Sequence, residues 1–317
     1  MEIPVFLFGG FLESGKTSFI NDTVAEESFT EGERILIIAC EEGEEEYDAK
    51  QLAGFNTTVE FVEDEEDFTE ELMKSFALKH SPKKVIIEWN GMWRLEKVLN
   101  LKYPKNWQIV QMITLVAAPT FDLYLNNMRS VIMEQFTNSD MVIFNRCDEN
   151  TKIGSYRRNV KAVNPAAQVY FENADGSEPD KNDTLPYDIN ADVIELEDED
   201  FGIWFVDAMD EPEKYDGKTI VTKALVYKNI KLPEGTFIPG RYAMTCCADD
   251  VRFIGPYCKS LLVTDEKIRR LKKNECIKLT AKVVHEYCKF YKGEGPVLYA
   301  SEIEPAPLPN SEFVYFN

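Results

Sequence analysis

The chain has 317 residues, 44% of them hydrophobic and 12% aromatic. That length suits about two domains, and the apolar content excludes an intrinsically disordered chain. Against 35 Lys+Arg stand 56 Asp+Glu, a net charge of -21, which argues against a nucleic-acid groove or an anionic membrane surface, since both need basic patches.

In chain order, the first half alternates short apolar runs with helical stretches. IPVFLFG reads as a strand, Lys16 to Glu27 as a helix, and ILIIAC and TTVEFV as strands. Phe68 to His80 reads as a helix with apolar residues at Leu72, Phe76 and Ala77. KVIIE, QIVQMITLVA, DMVIFN and QVYF are further strands. One helix is expected between Phe121 and Phe136 and another from about Ser155 to Val163. Continuous apolar strands alternating with helices predict an α/β fold, a mostly parallel sheet covered on both faces. The acidic, turn-rich stretch 176–199 reads as a linker between domains 1–175 and 200–317. Beyond it the chain looks β-rich, with KIRRLKK as its only helical signal, and a small five-stranded, OB-like barrel is the natural closure.

No run of about 18 apolar residues occurs, so no membrane span is expected. The start, MEIPVFLFGGFLESGKTS, has no basic n-region and does not read as a signal peptide. Seven cysteines without framework spacing fit a reducing cytoplasm.

The strongest motif is Gly10-Phe11-Leu12-Glu13-Ser14-Gly15-Lys16-Thr17, which matches G-x-x-x-x-G-K-[ST] between a strand and a helix. Gly10 and Gly15 allow a tight turn. Backbone N–H groups from Glu13 to Ser18 face phosphates. The Lys16 ammonium reaches the β/γ oxygens, and the Thr17 hydroxyl ligates Mg²⁺. Glu88-Trp89-Asn90-Gly91 ends a buried strand. Glu88 occupies the place of a Walker-B carboxylate, and the Gly91 N–H can approach the γ-phosphate. Asn145-Arg146-Cys147-Asp148 follows another buried strand. An Asp148 carboxylate accepts from guanine N1–H and N2–H₂, a donor pair adenine lacks. Asn145 braces the loop, and Arg146, where Lys is usual, can lie flat on the base.

With these motifs in place, residues 4 to about 172 resemble the CobW/HypB/UreG family of P-loop GTPases, most closely its CobW-like branch. The family's Gly-Gly-Phe-Leu-Gly-x-Gly-Lys-Thr is similar to Gly9 through Thr17, with Glu13 replacing one Gly. Its Asn-Glu-x-Gly-x-x-x-x-Asp resembles Cys40-Glu41-Glu42-Gly43 leading to Asp48. Glu134-Gln135, Ser139-Asp140 and the Asn164 to Ala167 stretch also fit. The resemblance implies a GTPase that hydrolyses GTP to GDP and phosphate and controls delivery of a metal or metallocofactor. It implies catalytic roles for Lys16, Thr17 and Glu88, and Mg²⁺ near Thr17, Glu41 and Glu88. Glu41, Gly43 and Asp48 fall where a γ-phosphate-responsive segment is expected.

One departure bears on the metal. CobW-like members carry Cys-x-Cys-Cys after the third strand, where this chain has Val62-Glu63-Asp64-Glu65-Glu66-Asp67. The thiolates that suit a soft transition metal are missing there. Cys246-Cys247 with Asp249 and Cys258 is the remaining candidate cluster, while Cys40, Cys147, Cys276 and Cys288 read as packing residues. Residues from about 200 to 309 resemble the soluble C-terminal domain of a bacterial permease-subunit family, through Asp216-Gly217-Lys218, Arg241-Tyr242-x-x-x-Cys246-Cys247-Ala248-Asp249 and the closing strand Pro296 to Pro305. Three functions stay open: a metallochaperone GTPase with a protein client, a nucleotide-gated interaction module with little hydrolysis, and an ATPase or small-molecule kinase, which the Asn145 to Asp148 motif disfavours.

Overall fold

The computed structural model describes residues 2–180, 185–229, 232–245 and 250–316. The chain divides into two compact units, 1–151 with 166–180 and 152–165 with 181–317.

The first unit is built on strands β1 (Ile3–Gly9), β2 (Ile35–Ala39), β3 (Thr57–Phe61), β4 (Lys84–Glu88), β5 (Trp107–Ala117), β6 (Met141–Cys147) and β7 (Gln168–Asn173). They form one seven-stranded sheet in the order β3-β2-β4-β1-β5-β6-β7, and every recorded pairing is parallel. Buried parallel strands have no solvent face, which is why β2 is buried at all five positions. Helices α1 (Lys16–Ala25), α2 (Glu27–Thr30), α3 (Ala49–Gly54), α4 (Glu70–His80), α5 (Leu95–Asn100), α6 (Ala118–Asn127) and α7 (Arg129–Asn138) belong to this unit. Its core includes two apolar clusters. One holds Val5, Leu7, Ile38, Val85, Ile87 and Trp89, the other Phe8, Ile20, Ile37, Ile86 and Leu115. The single helix expected between Phe121 and Phe136 is two helices, because the backbone leaves the helical region at Met128 (φ -134°, ψ 35°).

The second unit contains α8 (Ile153–Val163), β8 (Val193–Glu195), α9 (Asp200–Asp210), β9 (Thr219–Tyr227), β10 (Thr236–Met244), β11 (Val251–Ile254), β12 (Tyr257–Ser260), α10 (Asp265–Arg270), β13 (Cys276–Cys288), β14 (Gly293–Pro305) and β15 (Phe313–Val314). The pairings β9–β10, β10–β12, β12–β14, β14–β13 and β13–β9 close a ring of five strands, to which β8, β11 and β15 attach at the side. Its core gathers Phe201, Trp204, Tyr215, Ile220, Phe237 and Leu298.

Two features differ from the sequence reading. The stretch 176–199 is not wholly a linker: β8 lies in it and pairs in parallel with β9. The β-rich half also has a helix beyond KIRRLKK. α9 is an apolar helix that buries Phe201, Trp204, Val206 and Ala208. Gly202 lets it come close to the chain end, since a Cβ there would lie 2.5 Å from the Tyr315 carbonyl oxygen. Among the described residues, no helix is long and apolar enough to cross a membrane.

Candidate functional site

In a parallel sheet the carboxyl ends of the strands gather at one edge, where ligands bind. Here β1, β2 and β4 end side by side. Phe8 pairs with Glu88, and the Cys40 N–H donates to the Glu88 carbonyl at 2.9 Å. The loop after β1 then turns into α1 through two left-handed glycines, Gly10 at φ 128° and Gly15 at φ 90°. Side chains would clash at both. A Cβ on Gly10 would lie 2.3 Å from the Leu115 carbonyl oxygen, and one on Gly15 would lie 2.7 Å from Asn145 Nδ2. Gly91 is constrained in the same way, because its Cβ would sit 2.3 Å from the Gly10 carbonyl oxygen. The phosphate loop and the Glu88–Gly91 turn therefore pack backbone against backbone.

Lys16 is 2% exposed. Its ammonium donates to the carbonyls of Gly10 and Phe11, both at 2.9 Å, and pairs with the Glu41 carboxylate. The Thr17 hydroxyl donates to Glu88 Oε1 at 2.8 Å. The Tyr47 hydroxyl donates to Glu88 Oε2 at 2.6 Å. Both Glu88 oxygens are thus engaged by residues distant in sequence. Burial pushes the Glu88 carboxyl above its usual range, against the opposing pull of Tyr47, Lys16 and Thr17. Burial also raises the Tyr47 hydroxyl strongly, with the Glu88 charge adding to it. Tyr47 carries no motif signal and escaped the sequence reading.

Lys16, Thr17, Ser18, Glu13, Gly15, Glu41, Glu88 and Arg146 line one narrow pocket of about 20 Å³. The donor set at its floor, one hydroxyl and the Glu41 and Glu88 carboxylates, is all hard oxygen and suits Mg²⁺. The Glu13 side chain accepts from the Glu44 N–H at 2.9 Å. Asp48 caps α3, accepting from the Lys50 N–H at 2.7 Å. Ser14 is buried, with its hydroxyl unpartnered.

The Asn145–Asp148 loop is tied to the phosphate loop. Asn145 Nδ2 donates to the Ser14 carbonyl at 2.8 Å, and Arg146 Nη1 donates to the Glu13 carbonyl at 3.0 Å. Asp148 does not line the phosphate pocket. Its Oδ1 accepts from the Asn150 N–H at 2.9 Å and from the Thr151 hydroxyl at 3.1 Å. Those bonds hold its carboxyl below the usual range, so it stays ionised. Gln135 braces the Gly91 turn, donating to the Gly91 carbonyl at 3.2 Å. Trp89 is a core residue in edge contact with Phe68 and Trp93.

A second cavity of about 500 Å³ adjoins this pocket, sharing Leu12 and Glu41 with it and adding Cys40, Glu42, Phe61, Val62, Glu63, Asn90, Met92 and Trp93. Burial raises the Cys40 thiol well above its ordinary range, and the Glu88 and Glu41 charges add to that shift. Among the described residues no group of three or more His, Cys, Asp or Glu is placed to hold a metal ion. Cys246, Cys247 and Asp249 lie outside the described residues. Their proposed companion Cys258 is buried, which raises its thiol well above the ordinary range. Cys40, Cys147, Cys276 and Cys288 are buried, free thiols.

A parallel sheet, a glycine-bounded phosphate loop opening α1, and an acid closing the neighbouring strand define a P-loop nucleotide-binding protein. The profile of the CobW/HypB/UreG nucleotide-binding domain matches residues 4–171. The chain belongs to that family. A second profile, the DUF1980 C-terminal domain, matches residues 171–316. No curated protein matches the chain in sequence. Among solved structures, the Zn(II)-bound YjiA GTPase from E. coli is similar at 18% identity and TM-score 0.45, over 73% of this chain and 74% of that one. The hydrogenase maturation factor HypB from Archaeoglobus fulgidus is similar at 14% identity and TM-score 0.41, over 56% of this chain and 84% of that one. HypB from Helicobacter pylori in complex with nickel reaches 16% identity and TM-score 0.36, over 53% of this chain and 78% of that one.

Proposed function

We propose that the protein binds GTP with Mg²⁺ and hydrolyses it to GDP and phosphate. The observation that carries this reading is the union of two motifs 131 residues apart, Asn145 on Ser14, with Arg146 on Glu13 beside it. A loop that reads a base is useful only if it is fixed relative to the loop that holds the phosphates.

The chain's own groups divide the work. Lys16 exchanges Glu41 and two loop carbonyls for the β- and γ-phosphate oxygens. Loop amides from Glu13 to Ser18 carry the remaining phosphate charge. Thr17, with Glu88 and Glu41 behind it, would hold Mg²⁺, which neutralises charge on the transferring group when bound. Asp148 accepts from guanine, Arg146 covers the base, and the Gly91 N–H faces the γ-phosphate. A water is the acceptor; no residue is assigned to orient it, so intrinsic turnover is expected to be slow.

Coupling to metal or metallocofactor delivery is the output the family supports. A nucleotide-gated protein interaction is the second reading, and the cavity beside Leu12, whose wall is mostly apolar, favours it. We assign nucleotide chemistry to residues 1–175 and an accessory role to 200–317, joined through 176–199. The cytoplasm is the compartment proposed.

The test is competition binding. Wild type should prefer GTP to ATP. Asp148→Asn should lose guanine affinity by roughly 1.5–3 kcal/mol, the value of a charge-assisted hydrogen bond, and gain xanthine nucleotides. ATP bound as tightly as GTP would remove the guanine reading. Unchanged GTP affinity in Lys16→Ala would remove the phosphate site.

A further inference from the structure

We propose that the 500 Å³ cavity beside the phosphate loop docks a polypeptide partner that inserts one apolar side chain flanked by lysine or arginine. This deepens the switch reading above and rests on it.

The wall is apolar. Leu12, Ala39, Phe61, Val62, Met92 and Trp93 are among the residues that line the cavity. Leu12, Phe61 and Met92 are 49%, 46% and 61% exposed. Three exposed large apolar side chains lining one cavity are grouped as at an interaction site. The volume falls in the range that takes a whole ligand group. A polypeptide can fill the cavity and also bring basic residues to Glu42 and Glu63, which a small apolar molecule cannot.

Charge selects the partner. Glu42 and Glu63 line the cavity and are exposed, and neither forms an ion pair among the described residues. The acidic run Glu63 to Asp67 continues from this rim. An acidic segment would meet like charge, whereas a lysine or arginine beside the inserted side chain would be paired.

Position supplies the gate. Leu12 belongs to the phosphate loop, and Glu41 lines both spaces while pairing with Lys16. A phosphate that draws Lys16 away frees Glu41 at the cavity wall. Gly91 is packed on Gly10, so the Asn90–Trp93 side of the wall also rests on the phosphate loop. Partner affinity must then differ between nucleotide states, and by linkage the partner must alter nucleotide affinity.

The experiment uses the full chain, loaded with GDP or a non-hydrolysable GTP analogue. The probe is a fluorescein-labelled decapeptide with one central phenylalanine among lysines and serines. Two controls replace its lysines by glutamate or its phenylalanine by alanine. The basic aromatic peptide should bind about tenfold tighter than either control, and its affinity should change with the nucleotide. Glu63→Lys and Phe61→Ser, both at exposed positions, should each lower that affinity severalfold while circular dichroism and GTP affinity stay as in wild type. Equal binding of all three peptides, or wild-type affinity in both variants, would overturn the docking site. So would phenethylamine competing at the peptide's own concentration, which would mark a small-ligand pocket. Failure of GTP to bind in the same samples would count against the switch reading, whereas intact GTP binding without peptide preference counts against the cavity alone.

Discussion

Tyr47 shows how a single hydroxyl can set the state of this site. Glu88 is 1% exposed, and a buried carboxylate needs donors on both oxygens. Thr17 serves Oε1 and Tyr47 serves Oε2. When a nucleotide draws Thr17 towards a metal ion, Tyr47 is the donor that still fixes the carboxylate. Tyr47→Phe removes this donor and leaves the ring's packing in place. The unpaired oxygen costs about 1–3 kcal/mol, and the carboxyl, already above its usual range, should rise further. A group raised in this way is protonated at higher pH, so the acid limb of GTP turnover should move upward. The Mg²⁺ needed for half-maximal nucleotide binding should rise about tenfold, equivalent to roughly 1.4 kcal/mol, with Mg²⁺-free affinity changed much less. A variant with the wild-type acid limb and Mg²⁺ requirement would show that Tyr47 only packs. No sequence motif could have found this residue. It sits among acids in a loop, and its partner is 41 positions away. The contiguous motifs were legible because each is one strand-to-helix turn. What was not legible is how they close: Glu41 on Lys16, Glu13 on Glu44.

At the scale of elements, the parallel sheet was readable because strands buried on both faces are continuous apolar runs. Helices of six residues such as α3 and α5 complete fewer than two turns and show no period. α9 failed for the opposite reason. DFGIWFVDAMD is apolar on nearly every side and carries a glycine, so helical spacing is hidden. Its attachment to α8 is ionic as well as apolar. Asp210 Oδ2 accepts from Arg157 Nε and Oδ1 from Lys161 Nζ, both at 2.7 Å. Burial raises the Asp210 carboxyl, but the hydrogen bonds from Lys161 and Arg157 outweigh it and hold it below the ordinary value. A depressed carboxyl stabilises the fold above its unfolded pKa of about 3.9 and loses that contribution as pH falls. Asp210→Asn should therefore cost about 1–3 kcal/mol at pH 7, with Arg157 partly screened by solvent. The gap from wild type should narrow from neutral to acid pH, as the carboxyl is protonated. Urea unfolding at both pH values measures this, and a gap that persists in acid would mean the loss is steric.

For the whole molecule, chain length and the acidic stretch 176–199 signalled two parts, but not that α8 belongs with the second unit. Ser155 to Val163 was legible as a helix; its allegiance depends on contacts with α9 that no local pattern encodes. Each unit buries its own core, and the phosphate and base motifs all lie in the first. A ligand stabilises only the species that binds it. With GTP at 100 times its dissociation constant, the gain is about 2.7 kcal/mol. If each core opens as its own cooperative block, that gain should appear only in the first. Native-state hydrogen exchange in low denaturant resolves the blocks peptide by peptide. Amides of β1 and β4, whose strands end at the phosphate loop and Glu88, should exchange about a hundredfold more slowly with Mg²⁺ and GTP. Amides of β13 and β14, the long antiparallel pair of the second unit, should exchange at the same rate with and without nucleotide. Equal slowing in all four strands would mean that the two cores open as one block, and nucleotide energy would then be available to the accessory unit through global stability.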